Sequence, residues 1–236
     1  CGPAAGRVLE AYAPVAAQVL PELVPAFGFD QRNPWHDRDV WHHTLAAVDA
    51  APATPVLRWA ALLHDLGKPA CFTLDEKGVG HFYGHGEESA RLAGEILSRL
   101  RFDTDTRQKI TALVALHDRP IVPERRPIRR LLARLGPEGT AELIALHRAD
   151  NAAQSPLAAG RQEELDRARA VLDQLLAEGA CFQKKDLAVN GRDMLELGLR
   201  GPEIGRALGR CLEAVLAEQL PNQRGVLMKL AGESMG

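Results

Sequence analysis

Leucine and alanine recur at three- and four-residue spacing through most of this chain, whereas aromatic residues make up only 5% of it. That spacing is the period of an amphipathic helix, and both residues favour helix formation. We therefore predict a nearly all-α fold. The predicted helices cover residues 4–19, 39–49, 55–64, 87–100, 105–117, 127–135, 137–151 and 157–178, followed by a leucine-rich helical segment from 187 to the end.

One segment, residues 71–83, breaks the helical pattern. It places β-forming residues on both sides of Asp75-Glu76-Lys77-Gly78, a sequence typical of a turn. This predicts a small β-hairpin inserted between two helices. A glycine at 179 and the polar stretch after it predict a boundary near residue 180. We expect a helical lead-in over 1–38, a main helical domain over 39–180 and a C-terminal helical tail over 181–236.

Composition excludes several classes of protein. The 236 residues are 46% hydrophobic and 25% charged with a net charge of -2, so neither intrinsic disorder nor an overall basic character typical of nucleic-acid binding is expected. The apolar stretch over 56–63 contains Arg58 and is far shorter than the roughly 20 residues that cross a bilayer. The sequence therefore predicts no membrane partner, and it gives no indication of an oligomeric state.

The four cysteines, Cys1, Cys71, Cys181 and Cys211, form no C-x-x-C pair. Widely spaced cysteines of this kind indicate structural thiols in a reducing compartment, so we expect a cytoplasmic protein. The chain begins with Cys1 and has no initiator methionine, which we interpret as cropping or processing. Acylation of Cys1, as in a bacterial lipoprotein, is the alternative.

The dipeptide His64-Asp65 follows an apolar helix and is the most informative site in the sequence. An imidazole and a carboxylate beside a core face are costly to bury unless a cation or a hydrogen-bonding group receives them. A divalent metal is such a receiver, and this ligand pair suits Fe, Mn, Zn, Ni or Co. Asp65 could bridge two ions while His64 binds one of them. A helix-terminal histidine beside an exposed aspartate is the alternative.

Four more candidate ligands occur at predicted helix ends or on faces that point towards one bundle core: His43, His85, His117 and Asp150. Side chains from several helices of a bundle can converge on one site. The sequence therefore predicts a metal site in the bundle. His36, His42 and His147 are not predicted ligands, whereas His81, on the hairpin near His85, is a candidate substrate contact.

The order of these residues resembles the HD superfamily of metal-dependent phosphohydrolases over about residues 39–155. The family pattern of His, then His-Asp, then a distant Asp is matched by His43, His64-Asp65 and Asp150. The two further histidines of two-metal members correspond to His85 and His117. The resemblance implies an HD-domain helical bundle with Asp65 and Lys68 as catalytic residues, Lys68 approaching the substrate phosphate. Alternatively, Lys68 is a solvated lysine at a helix end.

A second resemblance covers nearly the whole chain. It rests on Phe27–Pro34, Leu62–Pro69, the hairpin end Phe82–His85, Ala188–Asp193, Gly201–Gly205 and Leu220–Asn222. These segments resemble the carboxy-terminal, HD-containing part of bacterial CCA-adding tRNA nucleotidyltransferases, whose nucleotidyltransferase head is not matched. The pairs Asp37-x-Asp39 and Asp103-x-Asp105 lack the Gly-Ser turn of that head, so we expect loop or helix-cap aspartates and no CCA addition by this chain alone.

These resemblances imply a metal-dependent phosphodiesterase or phosphatase that acts on nucleotide or RNA-terminal phosphoesters such as 2′,3′-cyclic nucleotides, linked to tRNA 3′-end maturation. The implied cofactor is a divalent transition metal, two ions of Fe, Mn, Ni, Co or Zn, with Mg also admissible. The alternative is a non-catalytic tRNA-binding module of a CCA-adding enzyme. A hydrolase of dinucleoside polyphosphates or deoxynucleotides is a third, narrower hypothesis.

An arginine-rich run follows His117. Between Arg119 and Arg134 the chain has six arginines against one glutamate. Most charge runs are solvated helix faces, but this one could also guide a phosphate backbone. The predicted substrate-binding residues are Lys68, His81, Arg119, Arg125 and Arg126. In the tail, Asn190-Gly191-Arg192 and Asn222-Gln223-Arg224 are candidate tRNA contacts.

Overall fold

The computed structural model describes residue 2 and residues 4–233. Its helices are α1 (Ala5–Ala11), α2 (Ala13–Val19), α3 (Val40–Ala50), α4 (Pro55–Leu63), α5 (His85–Arg99), α6 (Thr104–Val114), α7 (Arg125–Ala153), α8 (Gly160–Ala177), α9 (Gly191–Glu196), α10 (Pro202–Leu216) and α11 (Arg224–Gly232). Four short 3-10 turns, Pro21–Ala26, Pro69–Cys71, Pro156–Ala158 and Lys184–Asp186, join some of them. Among the described residues the only strands are β1 (Thr73–Leu74) and β2 (Gly80–His81). The all-α prediction with one hairpin is confirmed.

The described part of the chain divides into two compact units. The first comprises the described residues up to Ile121 together with Glu138–Arg167, and the second comprises Val122–Pro137 and the described residues from Ala168 onward. Helix α7 is interrupted at Gly136, whose φ of 70° and ψ of 178° are not helical, and Pro137 follows. The sequence predicted this break. The compact units group residues differently from the predicted segments, and the assignment of 39–180 to one HD domain stays a prediction.

Helix caps fix where the helices of the first unit begin. Asp39 accepts a hydrogen bond from the His42 backbone at the start of α3, Thr54 caps α4, and Asp103 accepts one from Thr106 at the start of α6. The two aspartates are therefore helix caps, as expected. Fully buried side chains of these helices and of the second half of α7 form the core, among them Leu63, Ile96, Leu97, Ile110, Leu113, Leu143, Ile144 and Leu146.

Several helix boundaries differ from prediction; α7, for example, begins at Arg125 rather than at residue 127, and α8 begins at Gly160 rather than at residue 157. The helix predicted over 4–19 is divided at Tyr12, because Pro14 has no N–H and can be accommodated only in the first turn of a new helix. Helix α5 begins at His85 rather than at residue 87, and α6 ends at Val114. His117 therefore lies in the turns that follow α6.

The hairpin is fastened to the loop before α3. Thr73 pairs with His81 and Leu74 with Gly80. The Gly80 N–H donates to the Arg32 carbonyl, and the Asn33 side chain donates to the Gly80 carbonyl. A Cβ at Gly80 would collide with the Gln31 carbonyl oxygen, so only glycine permits this close approach.

The second unit has its own apolar core, which includes Val189, Met194, Leu227 and the free cysteines Cys181 and Cys211. Polar side chains hold its loops, and three of them belong to the candidate tRNA contacts. Asn190 caps α9, Arg224 pairs with Asp193, and Asn222 bonds the backbone of Ala188 and of Asp186.

Cys71, in the first unit, is free and half-buried, whereas Cys1 lies outside the described residues. No described helix has the length and apolar character needed to cross a membrane.

Candidate metal centre

The first unit brings together the six predicted metal ligands. His43 comes from α3, His64 and Asp65 follow α4, and Asp150 lies on α7. The Nε2 atom of His43 is 2.9 Å from Asp150 Oδ1 and 3.3 Å from Asp65 Oδ2. The Nε2 atom of His64 is 3.1 Å from Asp65 Oδ2 and 3.3 Å from His43 Nε2. We call these four residues cluster A.

A second group of ligand atoms surrounds the other oxygen of Asp65. His85 Nε2 and His117 Nε2 are each 3.5 Å from Asp65 Oδ1 and 3.1 Å from each other. We call Asp65, His85 and His117 cluster B. In cluster A, one ligand atom each of His43, His64 and Asp65 lie within 4.8 Å of one another. The same holds in cluster B for Asp65, His85 and His117. Asp65 alone belongs to both clusters, one oxygen to each.

Backbone carbonyls fix the orientation of all four imidazoles. Each histidine has its Nδ1 atom 2.7 to 3.2 Å from a carbonyl oxygen; the pairs are His43–Ala153, His64–Ala61, His85–Phe82 and His117–Val114. Because a carbonyl can only accept, Nδ1 must carry the proton and donate it. In a neutral ring Nε2 then presents a lone pair to the cluster, as metal-binding histidines do.

The geometry of these clusters is better explained by a site for divalent metals than by a group of polar side chains that only fills the core. Neutral His85 and His117 would direct two lone pairs at each other, which repel unless a cation lies between them. Neither oxygen of buried Asp65 receives a hydrogen bond of normal geometry, although Lys68 forms an ion pair with Oδ2. Lys68 reaches only Oδ2, and the buried Oδ1 faces the Nε2 atoms of His85 and His117, which is costly without a further cation. Imidazole nitrogen and carboxylate oxygen together suit the first-row transition metals.

Opposite charges in cluster A favour the charged forms of its residues. Burial alone would raise the pKa of Asp65, but the charges of His64 and Lys68 hold that pKa well below its usual range. Burial lowers the pKa of His64, and the Asp65 and Asp150 carboxylates overcome this and raise it to about 10. Without a metal, cluster A therefore retains a proton, which a metal would displace.

Cluster B differs, because burial lowers the pKa of His117 from its ordinary value. The same cause lowers the pKa of two neighbouring histidines, His36 to about 3 and His147 to about 4. His36 packs its ring edge-on against His43 at 4.9 Å, and His147 Nε2 donates to the Leu116 carbonyl. These two histidines were not predicted as ligands.

A cavity of about 480 Å³ opens onto both clusters. Of the predicted substrate contacts, Lys68, His81 and Arg119 line it. Lys68 is buried between Asp65 and Gln31, so the alternative of a solvated helix-end lysine is wrong. Arg119 forms an exposed ion pair with Glu87. A larger cavity of about 680 Å³ beside Arg148 and Gln162 contains none of the predicted ligands.

Arg125 and Arg126 belong to the second unit. Arg125 is held there by Glu178 and Glu218, and Arg126 is exposed. Their predicted role as substrate contacts stays a prediction.

Sequence reasoning missed several side chains that line or support the site. Gln154 donates to Asp150 Oδ2, and Gln31 accepts from the Lys68 ammonium. Tyr83 and Arg161 lie at the cavity wall. His147 is three residues before Asp150 on α7 and Gln154 directly follows the end of that helix, four residues after Asp150, so helical spacing from Asp150 could have identified them. Gln31 lies in Phe27–Pro34, a segment that carries the second resemblance, but nothing in the sequence indicated its contact with Lys68, and no signal pointed to Arg161.

Known proteins match this chain over most of its length. A CC-adding tRNA nucleotidyltransferase of Thermus thermophilus is 35% identical over 202 residues, which are 83% of this chain and 45% of that protein. An A-adding tRNA nucleotidyltransferase of Deinococcus radiodurans is 32% identical over 210 residues, 83% of this chain and 46% of that protein. A multifunctional CCA protein of Xanthomonas campestris is 31% identical over 216 residues, 85% and 48% of the respective chains.

The chain thus spans a little less than half the length of these relatives. A family model described as tRNA nucleotidyltransferase domain 2 matches residues 84–231, which is more than half of the chain and includes His85, His117 and Asp150. This chain therefore belongs to the tRNA nucleotidyltransferase domain 2 family.

Proposed function

We propose that this chain is a metal-dependent phosphohydrolase of nucleotide or RNA-terminal phosphoesters, such as 2′,3′-cyclic nucleotides, linked to tRNA 3′-end maturation. One observation carries the proposal. The two oxygens of buried Asp65 face two separate groups of imidazole Nε2 atoms, and every one of those rings is oriented by a carbonyl at Nδ1. A histidine that only fills the core can satisfy its second nitrogen with any hydrogen-bond donor; four rings that direct Nε2 lone pairs towards one carboxylate indicate a binding site for cations.

The residues of this chain would have distinct tasks. His43, His64 and Asp150 would hold one cation, His85 and His117 the other, and Asp65 both. When bound, such ions supply Lewis-acid activation of water and neutralise charge on phosphoryl oxygens. Asp65 would orient the attacking water, and Gln154 would keep Asp150 in place. Lys68 would contribute positive charge at the cavity wall, where charge develops on the phosphoryl group.

The cavity supports a small phosphoester as substrate. Its volume of about 480 Å³ lies within the roughly 300–1,000 Å³ usual for small-molecule sites. The proposed link to tRNA 3′ ends is supported by the relatives, two of which are named CC-adding and A-adding tRNA nucleotidyltransferases and one a multifunctional CCA protein. Iron, Mn, Ni, Co and Zn all suit the ligand set, and Mg remains admissible.

Hydrolysis of 2′,3′-cyclic AMP and of bis(p-nitrophenyl) phosphate tests the proposal. The protein would be stripped of metal and then supplied separately with Mn, Ni, Co, Fe, Zn or Mg. We expect turnover that requires a metal, falls to background in Asp65→Asn and persists in Asp37→Asn, a matched change at an exposed loop aspartate. If the protein binds tRNA but hydrolyses neither substrate with any of these metals, the proposed phosphohydrolase activity is contradicted.

A second candidate, a non-catalytic tRNA-binding module, is favoured by one surface of the second unit. Arg126, Arg130 and Arg134 are exposed at four-residue spacing on one face of α7. No ion pair involves any of the three among the described residues, whereas Arg125 and Arg129 of the same helix pair with Glu218. Unpaired arginines on one helix face are available for phosphates.

Titration of tRNA binding against salt tests this second candidate. Replacing Arg126, Arg130 and Arg134 together with alanine should weaken binding and reduce the salt slope by roughly 2 to 3, since each neutralised phosphate contributes about 0.7 to 0.9. Arg169→Ala, at an exposed arginine paired with Asp173, is the control. An unchanged slope would exclude the arginine face as the RNA contact.

A further inference from the structure

An exposed tyrosine lies at the mouth of the metal-site cavity. Tyr83 is 78% exposed, more than any other large hydrophobic side chain in the described residues, and it lines the same cavity as Asp65, His85 and His117. An isolated exposed apolar residue needs no explanation. Tyr83 does need an explanation, because its ring is exposed, is held in place and lies beside a cluster of ligand atoms. The proposed hydrolysis assigns this ring no role.

The ring of Tyr83 is oriented by its neighbours. It stacks on the imidazole of His81 with an angle of 5° between the planes and 5.4 Å between the ring centroids. His81 in turn contacts Asp75, its Nε2 atom lying 3.2 Å from Asp75 Oδ2. His81 also belongs to β2, which the loop before α3 holds in place. His81 thus aligns the tyrosine ring, which stays largely exposed and needs little ordering to receive a second planar group.

Tyr83 lies close to cluster B in the chain and in the cavity. Tyr83 is two residues before His85, so their Cα atoms are at most about 7 Å apart. Tyr83, His85 and His117 line the same cavity, so an aromatic ring and the ligand atoms of cluster B face one space in which a single nucleotide can contact both. Arg119, also at the cavity wall, has an exposed ion pair with Glu87 that contributes little stability and can be exchanged for a phosphate.

We infer that Tyr83 forms a nucleobase subsite: the free face of its ring stacks on the base of a nucleotide or of a terminal RNA residue whose phosphate meets the cation that Asp65, His85 and His117 would hold. This inference rests on the proposed function and narrows it, because it separates phosphoesters that carry a base from those that do not. Every base has a π face, so we expect discrimination between base and no base rather than among bases.

Equilibrium binding of adenosine 5′-monophosphate and of ribose 5-phosphate to the whole chain tests the inference. The two probes share the sugar and the phosphate and differ in the base. Isothermal titration with metal-supplied protein should show that the wild type and Tyr83→Phe prefer the nucleotide by roughly tenfold or more, the size of one base–aromatic stack. Tyr83→Ala should lose this preference and keep its affinity for ribose 5-phosphate.

Tyr12→Ala is the matched control, because Tyr12 is an exposed tyrosine of the same unit and does not line the cavity. It should bind both probes as the wild type does. Any of three results would overturn the inference. The wild type could bind the two probes with equal affinity, it could fail to bind the nucleotide, or Tyr83→Ala could keep the preference for the nucleotide.

Turnover of 2′,3′-cyclic AMP, measured on the same proteins, separates the two proposals. A preference for the nucleotide that depends on Tyr83, found without turnover, would support the subsite and contradict the hydrolase. Turnover accompanied by equal binding of the two probes would contradict only the subsite.

Discussion

The ammonium of Lys68 lies 2.7 Å from Asp65 Oδ2, and its second contact is Gln31 Oε1 at 2.8 Å. Both members of the ion pair are buried, Lys68 at 4% and Asp65 at 1% exposure. Gln31 also donates to the Arg38 carbonyl, so it is itself fixed. Lys68 is therefore a buried counter-ion of Asp65, the one carboxylate that the two clusters share, and it also lines the cavity.

Removing this counter-ion should destabilise the metal-free protein. In Lys68→Met the carboxylate of Asp65 stays buried with less compensation, and breaking a buried ion pair typically costs about 3–5 kcal/mol. Urea denaturation in the presence of a chelator would measure the free energy of unfolding. Lys77→Met, at an exposed lysine of the hairpin turn, should change it by less than about 0.5 kcal/mol. Equal stability of the two variants would show that Lys68 does not compensate Asp65.

Asp65→Asn should remove metal from both clusters, because Asp65 is their only shared ligand. The amide keeps the shape of the side chain but loses its charge, so we expect the amount of bound metal, measured by mass spectrometry after dialysis, to fall close to zero. Asp37→Asn should retain the metal content of the wild type. A full metal complement in Asp65→Asn would refute the bridging arrangement.

Single histidine changes should separate the two clusters. His43→Ala removes a ligand of cluster A only, and His117→Ala removes a ligand of cluster B only. Each variant should lose about one bound ion per chain and keep the other, and loss of one ligand should weaken binding of that ion by roughly tenfold or more. Titration with Mn or Co would count the remaining sites. A single site in the wild type would contradict two-metal binding.

Gly67→Ala should displace His85 from cluster B. A Cβ at Gly67 would lie 2.7 Å from the His85 carbonyl oxygen and 2.8 Å from the Ser89 nitrogen, both backbone atoms at the start of α5. The start of α5 would have to shift, at a cost of about 1–3 kcal/mol in unfolding free energy. We expect a lower Tm and loss of the cluster B ion.

Gly94→Ala is the matched control within α5. A Cβ at Gly94 would contact nothing within 4 Å, so this change should leave metal binding intact and stabilise the helix by up to about 1 kcal/mol. If Gly67→Ala still binds two ions, the close approach of Gly67 to the start of α5 is not required for metal binding at cluster B.

Local sequence pattern was sufficient for much of the fold. The spacing of leucine and alanine predicted the helices, the turn at Asp75–Gly78 predicted the hairpin, and Gly136-Pro137 predicted the break in α7. The caps Asp39 and Asp103 were also foreseeable. All of these depend on residues a few positions apart. The unexpected division at Tyr12 is local as well, and Pro14 could have predicted it.

The identity of the candidate ligands could also be predicted from the sequence. The order of the histidines and aspartates along the chain is a recognisable pattern, and it does not depend on how far apart they lie in space. Only the tertiary structure decided how these residues are arranged. It gave one oxygen of Asp65 to each cluster, oriented His43 through the Ala153 carbonyl 110 residues away, and buried Lys68 against Gln31. It also bound Arg125 to Glu178 and Glu218, and exposed Tyr83 at the cavity mouth. These arrangements depend on contacts between segments that are distant in sequence, and such contacts form only when the helices pack, so no local periodicity can encode them.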